Sequence, residues 1–204
     1  MDFFSSESLD SLNKIYRINL INSITGYKSA NLLGTVSKKG IENLAVFSSV
    51  THLGSDPALL SFFVRPNVVP RNTYKNIKEK KFFTVNHISK EKINDAHHTS
   101  AKYDEDISEF DKTSLKSEYK NNWEAPFVKD SAVQLGCKYL NEYYLKENGC
   151  SMIIASIELI FIRKGLLQND GWVELAKGDI VTVNGLDAYA LPKTIKRFKY
   201  ARPK

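Results

Sequence analysis

The chain has 204 residues, 42% of them hydrophobic and 25% charged, a globular composition that excludes an extended disordered or fibrous chain. At that length one generous domain is expected, and a chain of this size buries roughly 70% of its unfolded surface. The net charge of +6 is modest and concentrated in an acid-free tail carrying Lys193, Lys196, Arg197, Lys199, Arg202 and Lys204, a kind of segment that is solvated in most proteins and binds nucleic acid or anionic lipid in some.

Ser5 to Leu12 carries a helix start with Ser5 or Ser6 as cap, and Lys14 to Asn22, rich in isoleucine, is expected as a strand. Ala30 to Ser37 and Asn43 to Thr51 flank Lys38-Lys39-Gly40, where the glycine can supply the positive φ of a tight hairpin. Leu59 to Arg65 is a continuous apolar run expected to be a strand buried on both faces, and Pro66 and Pro70 interrupt regular structure until Arg71. From Asn72 the period becomes helical, with Tyr74, Ile77 and Lys78 on one spacing, up to Lys81. Phe82 to Ile88 returns to alternation, placing Phe83, Val85 and His87 on one face. Ser89 is expected to cap a helix running towards His97, and Asp104 to Asp111 to form an acidic surface loop leading into a helical turn. Ala132 to Leu145 and Ser151 to Arg163 form a long hairpin around Asn148-Gly149, a dipeptide that favours a type I′ turn, and Ile180 to Val183 is a last strand before a coil-like tail. Strands outnumber helices and the hairpins are local. The expected fold is therefore mainly β, a largely antiparallel barrel, closed or nearly so, with a few short helices, formed by residues 1–204 as a single domain.

No run approaches the ~18 apolar residues of a membrane helix. The first residues lack the basic and apolar regions of a secretion signal, so a cytoplasmic protein without membrane partners is expected. Cys137 and Cys150 form no Cys-x-x-Cys pair and have no His at zinc-finger spacing, which leaves them as buried thiols.

The stretch Asn43 to Ser61, NLAVFSSVTHLGSDPALLS, joins an apolar strand to a cluster of hydroxyls. Ser48, Ser49 and Thr51 stand where packing would ask for Val or Ile; Ser49 and Thr51 share a face, so they either meet a polar ligand group or bond to neighbouring backbone. The chain contains no G-x-G-x-x-G, no G-x-x-x-x-G-K-[ST], no H-E-x-x-H and no G-x-S-x-G. An anionic ligand must then be held by separated loops, and Arg71-Asn72-Thr73 at a helix N-terminus offers a cation, a hydroxyl and free N–H groups; a plain helix cap is the other reading. Asp95 to Ala101 places His97, His98, Thr99 and Ser100 consecutively. Adjacent histidines cannot both face one metal from a helix, so no metal site is expected there, whereas either imidazole can donate to a ligand carbonyl.

Taken in order, NLAVFSSVTHLGSDPALLSFFV, RNTYKNIKEKKFFTVNHI, HHTSAKYDEDISEF, LGCKYL and NGLDAYALPKTIKRFKYARP resemble the flavin reductase-like family of FMN-binding split barrels, the type of flavoredoxins and flavin reductase components. The matching pieces are Asn43-Leu44-Ala45 with Ser48, then Asp56-Pro57, Thr73 with Asn76-Ile77, and Phe83-Thr84-Val85-Asn86. Ala58 stands where a second Pro is common, and Asn72 where Asp is usual. The resemblance implies an FMN-binding split barrel, a homodimer with FMN near the subunit interface, and reduction of free flavin or another small-molecule acceptor by NADH or NADPH, with a partner oxygenase or redox protein where the flavin is passed on. It also implies that flavin carries the chemistry and that no catalytic side chain is required. Under it Asn43, Ala45, Phe47, Ser48, Ser49, Val50 and Thr51 border the cofactor, with the hydroxyls on the ribityl phosphate and backbone amides on the ring. Arg71, Asn72 and Thr73 hold the phosphate, and His97, His98, Thr99 and Ser100 border the ring or the nicotinamide. Two other readings stand beside it: an FMN electron carrier fed by a protein donor, and a nucleic-acid-binding barrel using the basic tail with Tyr189, Phe198 and Tyr200. The acidic segment and modest net charge count against the latter.

Overall fold

The structure is a computed structural model that describes residues 1–66 and 71–203. The expectations for Pro70 and for Lys204 lie outside the described residues.

Two surface helices come first, α1 (Ser6–Ser11) and α2 (Lys14–Ile24). The Ser5 hydroxyl caps α1 by accepting from the Ser8 amide. The strand expected at Lys14 to Asn22 is a helix instead. Asn13 caps it by accepting from the Ile15 amide, and with no residue of α2 buried, its isoleucines meet no sheet that would exploit their β-branching. After β1 (Lys28–Ser29), the hairpin of β2 (Asn31–Val36) and β3 (Glu42–Phe47) forms as expected, with Gly40 at φ 81° in the turn. β4 (Thr51–Ser55) and β5 (Ala58–Val64) follow. β5 is not buried on both faces throughout, since Phe63 is 39% exposed. α3 (Asn72–Lys80) leads through left-handed Lys81 into β6 (Phe82–His87).

A 3₁₀ turn and α4 (Ile93–His98) come next, but the Ser89 side chain makes no capping bond. α5 (Glu109–Lys112), β7 (Ser117–Glu118) and β8 (Phe127–Val128) precede the long hairpin of β9 (Val133–Leu145) and β10 (Cys150–Ile162). Leu145 pairs with Cys150 and only Gly149 takes positive φ, so the connection has four residues and is not the two-residue type I′ turn. The last strands are β11 (Thr182–Asn184) and β12 (Ala188–Ala190), paired around Gly185. The expected strand at Ile180 is thus displaced by two residues, Ile180 making only a single bridge to Ser89, and the tail contains one strand that its sequence did not announce.

The main sheet is antiparallel, seven-stranded and ordered β3-β2-β6-β9-β10-β5-β4. Its edges, β3 and β4, are consecutive in the chain and separated only by Ser48, Ser49 and Val50. The path from Phe47 to Thr51 spans no more than about 14 Å, so the sheet must curl until its edges nearly meet. They remain unpaired with each other, which makes the barrel split. The concave face carries one core, with Leu33, Phe62, Phe83, Val85, Cys137 and Ile153, and α3 inserts Ile77 into it. A second core lies on the convex face of β2 and β3, where Leu32 and Leu44 meet Ile88, Ala96 and Phe110. β2 is buried on both sides for this reason.

Candidate functional site

Asn31, Leu33 and Thr35 alternate along the concave face of β2, so this face has a polar residue at each end of its apolar row. About 13 Å separates those ends at strand rise.

At the Thr35 end the polar groups saturate one another. The Thr73 hydroxyl donates to Asn43 Oδ1 at 2.9 Å, and the Thr35 hydroxyl to the same oxygen at 3.2 Å. Asn76 Nδ2 donates to Thr35 Oγ1 at 3.1 Å. Asn43 Nδ2 and the Leu44 amide both donate to Glu109 Oε2 at 2.8 Å. Glu109 is only 5% exposed. Burial raises its carboxyl above the usual range, while the bonds from Leu44 and Asn43 favour the ionised form. The segment expected as an acidic surface loop therefore contains a buried acid, because α5 turns Glu109 inward to receive the donors of β3. No side chain caps α3; Arg71, at the cap position, donates from Nε to the Pro66 carbonyl at 3.4 Å. Asn72 lines a cleft with Lys38, Lys39 and Lys75, whose charge Glu105 partly offsets, lying 2.8 Å from Lys75 and 3.5 Å from Lys39.

At the Asn31 end lies a cavity of about 210 Å³. Val50 and Thr51 of the β3–β4 crossover line it, with Ser29 of β1, Asn31 of β2, His52 of β4 and His87 of β6 over an apolar floor that includes Leu60, Val85, Leu135 and Ile157. Asn31 and His87 are direct partners across β2 and β6, so their side chains stand together. Burial pulls the His87 imidazole down to about 4, leaving it neutral at pH 7. Asn31 Nδ2 donates to Ser29 Oγ at 2.9 Å, and Ser29 Oγ donates to the Val50 carbonyl at 2.7 Å. Asn31 Oδ1 is buried and has no hydrogen-bond partner among the described residues.

The crossover hydroxyls part company. Ser49 Oγ accepts from the Phe63 amide at 3.1 Å and donates to the Phe63 carbonyl at 3.3 Å, standing in for the strand pairing that ends at Thr51 and Ser61. Ser48 occupies a bend, and Thr51 is exposed at the cavity. Phe47 packs edge-on to Phe62, and Ala45 is half-buried in β3. His97 Nδ1 lies 3.3 Å from the Tyr189 hydroxyl and His98 Nε2 2.7 Å from that of Tyr103. Thr99 is buried and donates to the Ala96 carbonyl, while Ser100 is exposed; none of these four residues lines the cavity. The structure thus joins Val50 and Thr51 to one end of the barrel and Asn43 and Thr73 to the other. Ser29, Asn31, His87 and Glu109 were absent from the expected set. His87 had a legible signal, a histidine in phase with Phe83 and Val85; the cross-strand neighbour of Asn31 and the partners of Glu109 are too distant in sequence to be read.

The cavity and the α3 N-terminus suit a flavin nucleotide: apolar walls for a ring, an acceptor unpaired among the described residues for a ring N–H, and helix amides with no side-chain cap among the described residues, beside Arg71, for a phosphate. Comparison with known proteins agrees with that chemistry. Over nearly its whole length the fold matches the crystal structure of a protein from Shewanella frigidimarina NCIMB 400 assigned as a flavin reductase with a split barrel domain, at 38% identity and a TM-score of 0.95, covering 98% of this chain and 100% of that one. Nitrilotriacetate monooxygenase component B from Bacillus cereus shares the fold, with a TM-score of 0.83 at 18% identity over 98% of each chain. An uncharacterised protein of Aquifex aeolicus is 32% identical over 108 residues, 52% of this chain and 55% of that protein. The chain spans about half the length of the curated relatives it matches. Residues 25–172, which contain all seven strands of the main sheet and both ends of the barrel, match the sequence model of the flavin reductase like domain, and the chain belongs to that family.

Proposed function

We propose that the protein is an FMN-binding oxidoreductase that takes reducing equivalents from NADH or NADPH and passes them to free flavin or another small acceptor. The observation that carries this reading is the cavity itself, which sits where the family's strand-crossover pattern meets an apolar floor and an unpaired buried acceptor. Bound FMN would supply the hydride and electron transfer. The chain's part is to bind, orient and exclude water. Leu60, Val85, Leu135 and Ile157 offer the ring an apolar bed, and Thr51 and the crossover backbone flank it. In this reading the phosphate lies near Arg71, Asn72 and the first amides of α3, where a cation and a helix N-terminus favour an anion. The Thr73 hydroxyl is already given to Asn43, so in this reading Thr73 contributes its backbone amide while its side chain fixes the helix end. His97, His98 and Ser100 stand exposed outside the cavity, where a nicotinamide nucleotide can reach them from solvent.

Purified protein should be yellow, or become so with added FMN, and release FMN on denaturation. Mixed anaerobically with NADH or NADPH and excess FMN, it should bleach the flavin catalytically. Bound FMN without bleaching by either nucleotide would favour a carrier fed by a protein donor; no flavin binding would remove the reading. The nucleic-acid reading finds less support. Arg197 in the basic tail is held 2.9 Å from Asp170 and stacks over the Trp172 ring at 4.2 Å.

A further inference from the structure

We propose that Asn31 and His87 form a two-point recognition edge for an uncharged amide or imide, an N–H beside a carbonyl, on the ligand that enters the cavity. The identity of that ligand rests on the flavin reading above; the recognition chemistry rests on the cavity.

The two polar ends of the concave face differ in a way that structure alone does not require. At the Thr35 end the side chains of Thr35, Asn43, Thr73, Asn76 and Glu109 bond to one another within the protein. At the other end Asn31, 1% exposed, keeps Oδ1 unpaired. Its orientation is set by the bond from Nδ2 to Ser29, itself fixed on the Val50 carbonyl, so the oxygen is the free atom of the amide. A buried acceptor without a donor opposes folding until a donor arrives, and retention of one at a cavity wall marks the place where a ligand supplies it. Among the described residues no Asp, Glu, Lys or Arg lines the cavity, so nothing seen there rewards an ionic group. The incoming donor must be neutral. His87, directly opposite Asn31, brings a neutral imidazole whose N–H can serve the carbonyl adjoining that donor. Two molecules carry such an edge: the pyrimidine ring of a flavin, with its imide N–H between two carbonyls, and the carboxamide of a nicotinamide.

The test compares wild type with Asn31→Leu, which removes the acceptor at similar volume, and with Asn31→Ala as a second variant should the first fold poorly. Affinities of the apo protein for FMN and 3-methyl-FMN, which lacks the imide N–H, are measured by fluorescence quenching. Affinities of the FMN-loaded protein for NAD⁺ and NADP⁺ are measured against their 3-acetylpyridine analogues, which lack the amide N–H. Wild type should prefer the N–H-bearing ligand about tenfold in one arm, and that arm identifies the source. The variant should lose that preference while the denaturation midpoint of the apo protein stays the same or rises. A variant that keeps the wild-type preference, or a wild type that binds FMN with no preference in either arm, overturns the inference alone. A wild type that binds neither flavin nor nicotinamide nucleotide overturns the flavin reading with it.

Discussion

Two side chains near the barrel ends make opposite use of charge. Arg71 is a cation beside uncapped helix amides, whereas His87 is a base that burial keeps neutral. If Arg71 holds the FMN phosphate, Arg71→Ala should weaken FMN about ten- to hundredfold and riboflavin much less, with Arg71→Lys recovering part of the loss because an ammonium cannot bond bidentately. Equal losses for FMN and riboflavin in a titration would place the phosphate elsewhere. His87 governs a pH effect. Its folded value lies near 4, below the ordinary 6.5, so the unfolded chain takes the proton first as pH falls. The stabilisation is therefore complete above about pH 6.5 and is lost down to about pH 4, with a ceiling of about 3 kcal/mol. Glu109 acts in the other direction, because its raised carboxyl gains stability as pH falls. Urea midpoints of wild type should drop between pH 7 and 4.5, and those of His87→Gln should drop less; parallel slopes would show that His87 is not the source.

Among the elements, α3, β3 and α5 are joined, beside the packing of Ile77, Leu44 and Phe110, by the chain of bonds from Glu109 through Asn43 to Thr73. Glu109→Ala would leave the Asn43 amide and the Leu44 N–H without an acceptor, a loss of about 2–4 kcal/mol. Glu109→Gln keeps one acceptor oxygen and should lose about half as much. Denaturant unfolding of the two variants checks this, and equal stability of wild type and Glu109→Ala would show that the network carries no weight. The same elements show what a sequence can disclose. The β2–β3 hairpin was legible because the Lys38-Lys39-Gly40 turn acts locally, and α3 because Tyr74, Ile77 and Lys78 keep helical phase. α2 was not, since its isoleucines favour a strand only where a sheet exists to receive them, and the cap from Asn13 decides otherwise. The candidate cavity was legible at Val50 and Thr51, which line it, within the pattern of the crossover. It was illegible at Asn31, whose importance lies in an unmade bond that only the folded neighbourhood reveals.

For the whole molecule, the distribution of apolar surface argues that one copy is incomplete. Tyr143, Met152 and Phe63 are direct partners across β9, β10 and β5, so they form a row on one face of the sheet, with Tyr143 54% and Phe63 39% exposed. α2 buries no residue of its own, yet presents Ile15, Tyr16, Ile21 and Ile24 to solvent, and the tail does the same with Ile195, Phe198 and Tyr200. Apolar surface this extensive is what protein interfaces present, and a second copy of the chain would supply a partner with the same needs. We therefore expect a homodimer burying more than about 2,000 Å² in total, the size of an obligate interface. Light scattering at micromolar concentration should give twice the 23.2 kDa chain mass. Met152→Glu places a charge at the centre of the row and should shift the protein towards monomer without unfolding it, since Met152 is only half-buried on the outer face. A wild-type mass of 23.2 kDa with flavin bound would refute the dimer. A dimer that Met152→Glu leaves intact would move the interface from this sheet to α2 and the tail.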